Sequence, residues 1–233
     1  MEKKGRVVIF YSVTVGLLLA GILLGNRAVT SFSENLDMVR KHCIVIDPGH
    51  GGEDGGAVSD SGISESVYNL EISLRLNDLI NLLGYQTKMI RYADVSVYTK
   101  GETLSEKKIS DLKERVRVVN ETDGALLLSI HQNYYSDSRY SGAQTFYADT
   151  DGSESLAKDL QADFVSVLNP GSRRMAKKSN GVYLMEHIRC PGVLIECGFL
   201  SNPPETRLLK TEAYQKKLCS VIATVTCRYL ANT

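Results

Sequence analysis

Three short apolar runs, "CIVID", "ALLLSIH" and "GVLIEC", constrain this chain more than any other feature. Each is too short for a buried helix and suits a strand covered on both faces. Stretches of helical period separate them. Glu65–Leu83 carries Ile72, Leu76, Leu79, Ile80 and Leu83 at helical spacing, with Ser64 in the N-cap position and Gly84 as a stop. Ser105–Glu121 spaces Ile109, Leu112, Val116 and Val119 three and four apart, and Ser153–Leu168 and Thr211–Leu230 read as further helices. Tyr85–Arg91, Ala143–Ala148 and Tyr183–Met185 read as further strands. Strands alternating with helices of this length predict an α/β domain. Its sheet is mixed but mostly parallel, with helices on both faces.

The N-terminus stands apart. "MEKKGR" is basic, and Val7 to Leu24 then runs for 18 residues without a charge. At about 1.5 Å per residue that is long enough to span a bilayer. Basic residues ahead of such a segment keep the N-terminus cytoplasmic and send the rest outward. Residues 1–27 are therefore expected to be a transmembrane anchor helix, with a cleaved signal segment as the alternative. Residues 28–41 then form a linker and 42–233 the globular domain. With 27 basic and 27 acidic residues the chain has no net charge, so nucleic acid is not an expected partner. Cys219 and Cys227 lie about 12 Å apart on one helix, too far to bridge. Cys43 and Cys197 sit in strand-like runs as small hydrophobes. All five cysteines are expected as thiols, with a Cys190–Cys197 bridge as the one alternative.

The three apolar runs all finish in polar groups suited to metal chemistry. The first leads into Asp47 and His50, the second ends in His131, and the third holds Glu196. In α/β sheets ligands bind beyond the carboxyl ends of the strands. Burying Glu196 costs several kcal/mol, on the order of the penalty for an unpaired charge, unless it meets a metal, a donor or a cavity. His50 and His131 are the natural pair of imidazole ligands. His42 precedes the first strand, and His187 lies in a turn before the last. A third, carboxylate ligand is open among Glu65, Glu53, Asp54 and Glu71; Glu65 opens the first helix where the glycine turn delivers the chain. A histidine after a strand is more often a hydrogen-bonded structural residue, so this set alone leaves a metal site and a structural cluster both open. A phosphate-binding loop fits poorly, because "GHGGEDGG" has no lysine and its acids repel phosphate.

"IVIDPGHGGEDGGA", "SESVYNLEISLRLNDLI", "LLLSIHQNY" and "PGVLIECGFLSNPPE" together resemble the zinc-dependent N-acetylmuramoyl-L-alanine amidases of the Amidase_3 type. The likeness runs from about Ile44 to Tyr229 and is nearest the germination-specific branch of spore formers. It implies a single catalytic domain with a six-stranded sheet. It implies one zinc ion held by His50, Glu65 and His131, and Glu196 as the catalytic glutamate. It implies peptidoglycan glycan strands with stem peptides as substrate, an exported domain facing the wall or the forespore cortex, and muramic δ-lactam formation as the outcome. Asn133 and Arg115 are candidates for substrate contact, although Arg91 and Arg115 match family arginines that serve either substrate or structure. Gly55 stands where many relatives have proline. The segment between His131 and Ala143 leaves no room for an inhibitory helix.

Several side chains near these motifs divide between roles. Asp47 and Asp54 suit orienting or capping positions, and Glu53 suits a turn facing water. Arg173, Arg174, Lys177 and Lys178 suit a solvated face better than a carboxylate-binding patch. Tyr134, Tyr135 and Tyr140 suit either sugar stacking or packing. A zinc peptidase of related fold and a non-catalytic, membrane-tethered wall-binding protein are the competing functions. A protein activator is left open.

Overall fold

The apolar runs form the centre of a six-stranded sheet with the order β2–β1–β3–β6–β4–β5 in this computed structural model, which describes residue 21 and residues 41–233. The strands are β1 (Cys43–Pro48), β2 (Gln86–Met89), β3 (Ala125–Asn133), β4 (Gln144–Tyr147), β5 (Lys177–Lys178) and β6 (Gly192–Phe199). All neighbours run parallel except β4, which is antiparallel to β6. The sheet is thus mixed and mostly parallel, as expected. The proposed anchor and nearly all of the tether lie outside the described residues; among the described residues no helix is long and apolar enough to cross a membrane.

Among the described residues six α-helices accompany the sheet: α1 (Glu65–Leu82), α2 (Leu104–Asn120), α3 (Ser153–Asp163), α4 (Tyr183–His187), α5 (Pro203–Leu209) and α6 (Glu212–Leu230). Side chains alternate across a strand, so each strand feeds two cores. Val45, Leu127 and Leu194 pack with Val119 of α2 and with Leu184 and Met185 of α4. Ile44, Ile46, Leu126 and Leu128 point the other way. There α1 contacts β1, β2 and β3, and α6 packs on α1, burying Ile72, Leu76, Ile80, Leu218 and Ile222 completely. Each such side chain contributes roughly 1.5–3 kcal/mol relative to exposure. The same alternation carries Asp47, Ser129 and Glu196 to the α2 side, two residues beyond Val45, Leu127 and Leu194.

Local signals explain where elements begin and end, and where expectation missed. Thr103 and Glu106 close a reciprocal capping box at the start of α2. Ser64 occupies the N-cap of α1 but its side chain makes no capping bond. Tyr183–Met185, expected as a strand, belongs to the single-turn helix α4. There the Tyr183 and His187 rings stack 3.9 Å apart, and Glu186 accepts from Gly181 N–H at 2.6 Å. A few apolar residues carry too little periodicity to separate the two. The edge strand is Lys177–Lys178 instead. The helix expected to run to Leu168 leaves α geometry after Asp163 for a turn of π-helix, Phe164–Leu168. Helix α5 was not expected, although Asn202-Pro203-Pro204-Glu205 carries its signal: the Asn202 side chain caps Glu205 N–H and proline opens the first turn. All five cysteines are free thiols, and no Cys190–Cys197 bridge forms.

Candidate metal centre

β1 ends at Pro48 and the chain reverses beside the end of β3. His50 sits at φ 60°, the left-handed region, which costs a side-chain-bearing residue roughly 1–2 kcal/mol. Two buried arginines hold it there. Arg91 donates to the carbonyls of Pro48 at 2.9 Å and Gly49 at 3.0 Å, and Arg115 to those of Pro48 at 3.0 Å and His50 at 2.8 Å. Arg115 also pairs with Asp47 and Asp111. Burial alone would raise the Asp47 carboxyl, but Arg115 and His131 outweigh it and hold the group below its usual range. Burial and the nearby Arg115 charge bring Arg91 down to about 10.

The turn needs glycine for space. A Cβ on Gly49 would lie 2.2 Å from His131 Nε2, and one on Gly56 would lie 2.6 Å from Glu65 Oε2. With those atoms absent, His50, Glu65 and His131 converge. Their donor atoms lie within 4.8 Å of one another. Glu65 stands between the imidazoles, with His50 Nε2 3.3 Å from Oε2 and His131 Nδ1 3.0 Å from Oε1. Ala57 N–H, Gln132 N–H and the Asn69 side-chain amide also donate to this carboxylate, at 3.1, 3.1 and 3.2 Å. Burial would raise Glu65, yet the two imidazoles more than offset it and hold the carboxyl far below its ordinary range. On its other edge His50 Nδ1 lies 3.1 Å from Asp54. Burial lowers the His50 imidazole, but Glu65 and Asp54 together raise it above its ordinary value.

Two imidazole nitrogens and one carboxylate are a donor set suited to zinc. Tetrahedral bonds of about 2.0–2.1 Å put neighbouring ligands roughly 3.3 Å apart, close to the two imidazole–carboxylate separations found here. The second nitrogen of His50, bound to Asp54, would fix the tautomer that presents Nε2 to an ion. The residues present fit the metal.

Glu196 pairs in register with His131 on the adjacent strand. Its Oε2 is buried without a hydrogen-bond partner. Burial pushes the carboxyl up to about 7, with His131 and His50 pulling down and Glu65 pushing up. A cavity of about 350 Å³ opens beside Gly49, His50 and His131, walled by Val182, Tyr183 and Leu194. The site therefore joins a metal-ready triad, a buried acid and an adjoining space, an arrangement suited to polar bond hydrolysis.

The other candidates fall elsewhere. Glu53 pairs with Lys107 at the surface, and Glu71 meets Gln215 across helices. Asp54 contacts His50 rather than the converging atoms, and His187 stacks on Tyr183. Arg115, a candidate for substrate contact, lines the cavity but is only 3% exposed and bound to Asp47, Asp111 and the turn carbonyls, so it braces the turn. Asn133 ends β3 beside the site, and its carbonyl accepts from Leu200 N–H at 2.8 Å. Gln132 supports Glu65 and Asn69. Tyr134, Tyr135 and Tyr140 are about half exposed, with Tyr135 and Tyr140 packed edge to face at 4.7 Å. Asn69 was missed, although it lies one helical turn beyond Glu65, on the same face.

Residues 44–226 match the Amidase_3 family model, described as N-acetylmuramoyl-L-alanine amidase. The chain is 39% identical over 191 residues to the germination-specific N-acetylmuramoyl-L-alanine amidase of Bacillus subtilis, covering 81% of this chain and 80% of that protein. The CwlD amidase of Clostridioides difficile, solved in complex with the GerS lipoprotein, superposes with a TM-score of 0.79 at 36% identity. That match covers 82% of this chain and all of the other. An N-acetylmuramoyl-L-alanine amidase from Clostridium difficile 630 superposes with a TM-score of 0.72 at 29% identity, covering 82% and 98%.

Proposed function

Because the chain belongs to the Amidase_3 family of N-acetylmuramoyl-L-alanine amidases, we propose that His50, Glu65 and His131 hold one zinc ion and that Glu196 carries the proton. The bond cleaved is the amide between the lactyl group of N-acetylmuramic acid and L-alanine in peptidoglycan. The observation that supports this most is the orphaned carboxylate oxygen of Glu196, one strand from His131. A zinc ion so held supplies a Lewis acid that acidifies water and draws charge from an amide carbonyl.

The chain's own residues do the rest. Glu196, poised near neutrality, accepts a proton from the attacking water and delivers it to the alanine nitrogen as the C–N bond breaks. The lactyl carbon gains the new C–O bond, leaving a carboxylate and a free amine. Asp54 holds the Nδ1 proton of His50, and Asn69, Ala57 and Gln132 keep the Glu65 carboxylate aimed between the imidazoles. Val182 and Leu194 exclude bulk water from one wall.

Similarity to the germination-specific amidase supports spore cortex maturation as the setting, with stem peptides removed so that muramic δ-lactam can form. The catalytic domain then spans 42–233, exported and facing the wall, with residues 1–27 as its anchor or signal segment. The similar amidase solved with a lipoprotein supports a protein partner for this chain too. Mass spectrometry of wall fragments after digestion by the zinc-loaded, full-length protein tests the reaction. Stem peptides with a free L-alanine amine, released without chelator and not with it, are expected. Fragments cut within the peptide would instead establish a zinc peptidase. No release, with a wall extract supplying any partner, would leave a wall-binding protein.

A further inference from the structure

The space around Glu196 does not end at the histidines. A second cavity, of about 320 Å³, is lined by Phe146, Lys177, Ser179, Asn180 and Glu196. It shares Val182 and Leu194 with the cavity at His50 and His131, so the two meet across that wall. Two of its polar groups are unspent. Ser179 is only 7% exposed and its Oγ has no hydrogen-bond partner, and Glu196 Oε2 has none either. A buried donor or acceptor left unpaired costs about 1–3 kcal/mol. Both residues line this cavity, and neither atom has a hydrogen-bond partner within the chain.

Charge distinguishes the two cavities. On the histidine side the cations are committed: Lys108 to Asp54, and Arg115 to Asp47 and Asp111. On the Glu196 side Lys178 pairs with Asp149, whereas Lys177 forms no ion pair among the described residues. Lys177, on the edge strand β5, and Ser179, just beyond it, both line this cavity. The halves of the substrate also differ in charge. The glycan offers hydroxyls and acetamides, while the peptide beyond L-alanine carries free carboxylates. Complementary charge sorts such halves between subsites.

We propose that this second cavity receives the peptide half of the substrate, with Lys177 pairing a stem-peptide carboxylate and the Ser179 hydroxyl bonding the peptide backbone. The inference rests on the amidase reading and adds the direction in which the substrate lies. The departing amine then leaves on the side where Glu196 has its open oxygen.

The test compares two muropeptides, identical except that the stem-peptide carboxylates are free in one and carboxamides in the other. With the zinc-loaded, full-length protein, kcat/KM should favour the free acid by about fivefold, through KM and less so at high salt. Lys177→Gln, an exposed change, should bring the two to parity. Ser179→Ala should raise KM on both by about fivefold with kcat unchanged. A preference that survives Lys177→Gln, or a wild-type protein indifferent to amidation, overturns the proposal. If neither muropeptide is hydrolysed, the amidase reading fails, and calorimetric titration with the two free peptides decides the subsite separately. Tighter binding of the free acid, lost in Lys177→Gln, keeps it; equal binding removes it.

Discussion

Arg91 and Arg115 brace the carbonyls of the glycine turn and Asp47 pairs with Arg115, while His50, Glu65, His131 and Glu196 gather at the cleft. Both groups are polar, largely buried and gathered near the same ends of β1, β3 and β6. Only the first is closed. Asp47 spends its oxygens on Arg115 and on Ser129 at 2.7 Å, and Arg91 reaches four carbonyls. In the second group Glu65 ties two imidazoles together, and Glu196 next to them keeps an oxygen with nothing to bond. A polar cluster that satisfies itself holds shape. One that leaves a buried atom unsatisfied is set up for a ligand.

Substitutions in each cluster should part along that line. Glu196→Gln keeps the volume and removes the base, so turnover should fall by about 10³-fold or more with zinc content and melting unchanged. Near-normal turnover would return Glu196 to the framework. Arg115→Met should do the reverse. It strands Asp47 as a buried charge, a loss of about 3–5 kcal/mol read from the denaturant midpoint. A small loss there would mean that the turn does not depend on its brace.

Asp54→Asn bridges the two clusters and should act through the metal alone, weakening zinc binding by about 10–100-fold. Its pH dependence sharpens the point. Because Glu65 and Asp54 raise His50, protons compete with zinc at that ring to a higher pH than at a free imidazole. Below the raised value each unit of acidification should cost about tenfold in affinity. Removing Asp54 lowers His50, so the onset should move to lower pH, in a titration with a zinc indicator. An unmoved onset would take Asp54 out of contact with the ring. The smallest effect is expected at Lys107→Ala. It breaks the pair with Glu53 and an ammonium contact over the Tyr98 ring, both near the surface, and melting and activity should stay nearly as they are.

Much of this is legible in the sequence. The apolar runs gave the strands, and the residues that end them, His131 and Glu196, lie where the parallel sheet opens. Glu65 was one carboxylate among four until the family resemblance selected it, and the turn at Gly56 brings it between the histidines. Arg115 was less legible. A charged residue on an amphipathic helix reads as solvent-facing or ligand-facing, and only its neighbours reveal that its charge is consumed. The single-turn helix at Tyr183–His187 is too short for its period to show, whereas α5 carries its signal in the Asn-Pro-Pro-Glu start.

What the sequence determined by itself is local and chemical: the period of each element, the glycines that permit a close turn, and the residue types able to bind a metal. Those follow from interactions among near neighbours and from the chemistry of single side chains. Tertiary structure alone decided which strands adjoin, that Arg115 neutralises Asp47 across 68 residues of chain, and that Ser179 Oγ and Glu196 Oε2 are left without hydrogen-bond partners. The physical reason is that a buried charge or hydroxyl has its energy set by whatever surrounds it. Those surroundings come from segments far apart in the chain.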